Sequence, residues 1–222
     1  MRSALRPSVA VFTIVLLLPG QLFSYDTPLS PEAVRDAYYL AQRHDKSVAD
    51  FFTRYNKYLP APDSGPQISS VTFLTPYALV VQNVMQRSTG YSAQQVELDH
   101  RNQDETVEII IQIQLTATYG PLIPRPVGTG SSSTTGFMLR PYDFWKDFAV
   151  QVFNKDKAVK PLSSSGDSVV SCTEPTSACD LSGATLRYEF SAEAFPSETA
   201  VIHITPPEGN PVSVEFDLAY LR

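Results

Sequence analysis

The sequence predicts an α+β protein: an antiparallel β-sandwich, immunoglobulin-like in the broad sense, of seven or eight strands. N-terminal and inserted α-helices accompany it. Three observations carry this reading. Helical periodicity is confined to the first hundred residues, where Ser, Thr or Asp opens each apolar stripe. From Thr106 onward the period falls to two. Eighteen prolines against ten glycines punctuate the remainder into short alternating segments, as in sandwiches rather than helical bundles.

Ser30 followed by Pro31 suits a helix start, because proline's missing N–H costs nothing at the first helical position. Val34, Ala37, Tyr38 and Ala41 then share a face. Asp45 is placed to cap a second helix, with Val48, Phe51, Phe52, Tyr55 and Leu59 at helical spacing. Residues 60–66 (PAPDSGP) read as a linker. The strand at 68–74 is rich in β-branched and aromatic residues, and Thr75-Pro76 repeats the capping signal before Tyr77, Val80, Val81, Val84 and Met85. Ser92 with Gln95 three positions on is a capping-box pattern for a short polar helix. Three domain-level segments result: 1–24, a leader; 25–66, a helical region and linker; 67–222, the sandwich with helices inserted near 76–101.

The strongest structural signal is TVEIIIQIQLTATY at 106–119, where Val107, Ile109, Ile111, Ile113, Leu115 and Ala117 fall on one face. Residues 120–136 (GPLIPRPVGTGSSSTTG) read as a long irregular loop, mobile or ligand-binding. Further strands are expected at 148–153, 158–161, 168–172, 184–195, 200–205 and 211–221.

Residues 1–24 have a different composition. Arg2 and Arg6 precede a ten-residue apolar run, and Pro19-Gly20 closes it before a small residue at Ser24. This is the layout of a secretory signal peptide, and ten apolar residues are too few for a span of about 20. The mature chain is therefore expected to be secreted or periplasmic and not integral to the membrane. It carries 15 basic and 23 acidic side chains, a net charge of −8, which repels phosphate backbones and argues against nucleic acid as a partner. The plan of leader, helical start, long alternating strand and terminal hairpin is similar to that of exported bacterial proteins, with no motif that transfers a family's residues.

Export bears on the only two cysteines. Cys172 and Cys179 lack C-x-x-C spacing, and His44, His100 and His203 are scattered without metal-ligand spacing. In an oxidising compartment a disulfide is expected, and closing so short a loop contributes about 2.5 kcal/mol on the chain-entropy model.

No nucleophile elbow, zinc-protease motif, phosphate loop or cofactor fingerprint occurs in the sequence. The candidate binding surface is RPYDFWKDF at 140–148, which holds the only tryptophan. Tyr142, Asp143, Trp145 and Asp147 could present aromatic faces flanked by carboxylates, or could pack as a strand entry. The expected function is a non-enzymatic interaction or structural module of the bacterial cell envelope or extracellular space, its partner an envelope protein or a glycan. A hydrolase of polysaccharide or peptide would instead need a cleft gathering two or more of Asp99, His100, Glu105, Asp143 and Asp147. A small-ligand carrier would need an enclosed cavity lined by Tyr and Phe.

Overall fold

The computed structural model describes residues 25–87, 90–127, 134–173 and 178–222. The leader, the middle of the 120–136 segment and the tip between the cysteines lie outside these residues. The chain is α+β, with every strand pair antiparallel. Its elements in order are α1 (Pro31–Ala41), α2 (Lys46–Thr53), β1 (Asn56–Tyr58), β2 (Gln67–Leu74), α3 (Pro76–Gln86), α4 (Ala93–Arg101), β3 (Thr106–Gln114), β4 (Leu122–Val127), β5 (Thr134–Leu139), β6 (Ala149–Asn154), β7 (Lys157–Val159), β8 (Ser163–Thr173), β9 (Ala178–Ser191), β10 (Thr199–Thr205) and β11 (Val212–Asp217).

Two sheets form the sandwich, in the orders β1-β2-β3-β9-β8 and β11-β10-β6-β7, while β4 and β5 pair only with each other. The core follows from alternation. Val107, Ile109, Ile111 and Ile113 of β3 lie opposite Phe190, Tyr188, Leu186 and Ala184 of β9, and all but the half-buried Tyr188 are buried. Ile202, Val214 and Phe216 close the core from the second sheet. Phe73 packs on Phe195 and Phe216 at ring separations of 5.3 and 5.6 Å. Each such buried side chain contributes about 1.5–3 kcal/mol through removal from water. A bulge between Ile68 and Ser70 adds one residue to β2, which keeps Ile68 on the core face with Val71 and Phe73.

The helices sit at one end, where β2 stops and β3 starts. Val34 and Ala37 of α1, Val80, Val81 and Val84 of α3, and Val96 of α4 form a second apolar cluster. The expected caps form: Ser30 Oγ accepts from Ala33 N, Asp45 from Ser47 N, and Thr75 Oγ1 from Ala78 N. Ser92 Oγ accepts from Gln95 N, but the Gln95 amide donates to Asp99 instead of returning to Ser92, so only half of the capping box forms.

The chain has eleven strands among the described residues, where patterning alone finds seven or eight. Two corrections supply the added strands, and a third shortens an expected one. The helix begun at Asp45 ends at Thr53, and 56–58 become β1, because Tyr55 turns inward and its hydroxyl bonds Arg222 O at 2.9 Å. The described flanks of the 120–136 segment are strands rather than irregular loop: 122–127 are β4, and 134–136 begin β5. The long strand ends at Gln114 rather than Tyr119, since Thr116 Oγ1 accepts from Tyr119 N in a turn that buries Tyr119.

At the end opposite the helices the sheets approach closely. Gly65 (φ +85°) and Gly209 (φ +92°) meet back to back, and a Cβ on Gly65 would fall 2.7 Å from Glu208 O. Gly183 of β9 runs against β3 so tightly that a Cβ would lie 2.1 Å from Ile113 O, whereas one on Gly120 would have 3.5 Å of room. Gly183→Ala is therefore expected to destabilise the fold by about 1–3 kcal/mol through overpacking, with Gly120→Ala changing it by less than about 0.5 kcal/mol. Urea unfolding of the two variants checks the contrast.

Candidate interaction surface

The chain leaves β3 at the end away from the helices and forms the β4–β5 hairpin. Its base is fixed: Arg140 Nε donates to Gly120 O at 2.8 Å, the Arg140 guanidinium lies 3.4 Å above the Tyr119 ring, and Arg140 N donates to Pro121 O. That last bond sets the ladder. Pair 121–140 is joined by that one bond, since Pro121 has no N–H, and pairs 123–138 and 125–136 follow in the same hydrogen-bonded register, so the backbone groups of 122, 124, 126, 135, 137 and 139 point away from the partner strand.

This register explains how a segment with two prolines is a strand. Pro124 and Pro126 occupy positions whose N–H would point outward, so their missing donors cost the ladder nothing. Directly opposed residues share a face. Leu122, Pro124, Pro126, Thr135, Phe137 and Leu139 therefore line one side, and Ile123, Arg125 and Met138 the other. The first side is open to water, with Leu122 52% exposed, Phe137 68% and Leu139 73%. The signal for this hairpin was present in the sequence as two prolines spaced by two, facing an uncharged stretch (TTGFML) with the same period.

The 142–147 segment is placed beside β8. Phe144 and Phe148 are buried, with rings 6.3 Å apart. The Trp145 indole covers Gly166 so closely that a Cβ there would sit 2.5 Å from it. Tyr142 is exposed and its carbonyl accepts from Ser168 Oγ. Asp143 pairs with Lys146 at 3.0 Å, and that hydrogen bond holds its carboxyl below the usual range. Asp147 is exposed. Trp145 thus packs as part of a turn against β8, while Tyr142, Asp143 and Asp147 remain at the surface.

The structure brings His100 and Glu105 together, with Nε2 and Oε1 3.0 Å apart. Their surroundings are structural. Glu105 Oε1 also accepts from Leu29 N at 2.5 Å, and Oε2 accepts from Thr27 Oγ1 at 2.7 Å. Burial alone pushes the Glu105 carboxyl up, but donation from His100, Thr27 and Leu29 outweighs it and holds the group below its ordinary value. Asp99 accepts from Tyr91 Oη at 2.6 Å, Gln95 and Arg87. The carboxylates of Asp143 and Asp147 belong to a different element, between β5 and β6. Surface hollows border the Glu105 clamp (about 500 Å³) and the proline-bearing turns 59–68 and 206–212 (about 410 Å³). Among the described residues no group of three His, Cys, Asp or Glu is arranged to hold a metal ion.

The two cysteines face each other across β8 and β9 and form a disulfide with a Cα separation of 4.0 Å. They close the end of a hairpin that continues past the last β3 partner, Gly183, so its outer part lies beyond the five-stranded sheet. No helix among the described residues is long and apolar enough to cross a membrane.

Because the folded carboxyl of Glu105 titrates below its reference value of 4.5, its stabilisation is complete above that value and is lost as pH falls through the lower folded one. Glu105→Gln is expected to cost about 1–2 kcal/mol at neutral pH. The gap from wild type should narrow on acidification below pH 4.5, as read from urea midpoints across a pH series.

No family model, curated protein or solved structure matches the chain.

Proposed function

We propose that the chain is an exported, non-enzymatic interaction module of the bacterial cell envelope or extracellular space, and that it engages a polypeptide partner through the β4–β5 hairpin. The observation that carries this reading is the hairpin itself. It pairs with no other strand among the described residues, and its apolar face is open to water. An isolated two-stranded ribbon is marginal on its own, and a contiguous exposed apolar surface is the usual mark of an interaction site.

A polypeptide suits this surface better than a glycan. The exposed face offers Leu, Pro and Phe in place of the amides and carboxylates that bind sugar hydroxyls, and the outward N–H and C=O groups of β5 match an extended backbone. The disulfide fits export, because such bonds persist in oxidising compartments.

A photo-reactive residue at Phe137 is expected to capture a polypeptide when the mature protein is incubated with its own envelope fraction. The same residue at Lys157, exposed on the edge strand β7, should not. Equal capture at both positions, or none at either, would sink the proposal.

A further inference from the structure

We propose that the occupant of the β5 edge is a second copy of this chain, paired antiparallel so that two hairpins make one four-stranded sheet about a two-fold axis through Phe137. This rests on the reading of the hairpin as the interaction site and names its partner.

The two edges of the hairpin differ. Along β4 the outward positions are Leu122, Pro124 and Pro126, so two of the three donors that a new strand would need do not exist. Along β5 the outward positions are Thr135, Phe137 and Leu139. All three keep an N–H, and none of these groups donates to another element among the described residues. The free edge therefore calls for one added strand, on the β5 side.

β5 is itself a suitable strand. Antiparallel self-pairing centred on Phe137 sets Phe137 against its own copy and Thr135 against Leu139, in hydrogen-bonded pairs with Cα atoms about 5.5 Å apart. Opposed residues share a face, so the apolar stripes of the two copies merge into one layer with the two Phe137 rings at its centre. Charge points the same way. The mature chain carries −8, which makes two copies repel over most of their surfaces, but Thr134–Leu139 contains no ionisable side chain. Arg125, the only charge on β4, projects from the opposite side. Assembly also stops at two. The outer edges of the joined sheet are the proline-bearing β4 strands, so a third copy finds no complementary edge.

Light scattering on the full mature protein tests this. The wild type is expected to show twice the monomer mass. Phe137→Asp, which sets two carboxylates on the axis, should halve it, as should Thr135→Pro, which removes one outward donor and leaves the β4 ladder intact. The emission of the single tryptophan, packed on Gly166, should be unchanged in both and so report that the body is folded. Phe137→Cys should oxidise to a covalent dimer while Lys157→Cys does not, since the native cysteines are already paired. A monomeric wild type, a dimer that survives both substitutions, or open-ended polymers would each overturn the self-pairing. A monomer whose Phe137 still captures a different polypeptide overturns self-pairing and leaves the interaction reading standing. A monomer that captures nothing removes both.

Discussion

Strand β3 is buried along its inward face and, at Ile110, on the outer face as well, and much of the architecture follows from that constraint. Its inward residues Val107, Ile109, Ile111 and Ile113 form the middle of the sandwich, while Ile110 on the other face is also buried. A sheet face with a buried isoleucine needs a cover, and the β2–β3 connection supplies it. Instead of a tight hairpin, the chain inserts α3 and α4, and α3 packs against β2 and β3. The apolar stripe of α3 then needs a partner of its own, which α1 provides. With the helical layer fixed at the end where β3 begins, the opposite end is left for the two hairpins.

The helical layer is fastened to the sandwich by polar contacts that span most of the sequence. Tyr25 is buried and donates to Ala192 O at 2.6 Å, and burial raises its hydroxyl pKa further above the usual range, so it stays a donor. Glu105 takes donors from Thr27 and Leu29 immediately before α1. Arg222 stacks over the Tyr77 ring at 4.5 Å and pairs with Asp26 and Asp36 at 3.5 and 3.2 Å. The exposed ion pairs contribute little singly, and the buried Tyr25 and part-buried Glu105 bonds matter more, because breaking either strands a polar group away from water. These contacts place the cluster of His100, Asp99 and Glu105 at a structural seam, which accounts for acids and a histidine gathering there.

Where one face of an element is buried against water on the other, its pattern could be read directly. That holds for β3, β9, β10 and β11, and for the capped helices α1 and α3. The less legible elements are those whose conformation is imposed from elsewhere. β1 (NKY) is a strand because it pairs with β2 beside the buried Tyr55. Only the end of β8 was legible; its first half (SSSGDS) has low strand propensity and is held by β9 and by Trp145 over Gly166. β4 is illegible by propensity, since proline argues against a strand until the register shows both prolines at outward positions. The same cause hid the candidate site. The aromatic segment 140–148 has the composition of a binding surface but largely packs, whereas the exposed face lies on strands whose sequence reads as a loop.

The edges of the sheets explain why the hairpin is the exception. β1 and β11 are joined across the gap between sheets by Lys57, which donates to Glu215 O. β7 is only three residues long. β8 carries Asp167 and is flanked by the 142–147 turn, where Ser168 bonds the Tyr142 carbonyl. Each of these is a recognised way of blunting an edge: cover, brevity or charge. β4 is blunted by a fourth, two prolines in the outward register. Against that background β5 stands apart, with no proline, no charge, no cover among the described residues and Phe137 at its centre. A fold that blunts the edges of its two main sheets by independent means, yet presents this one beside an apolar face, favours strand pairing there.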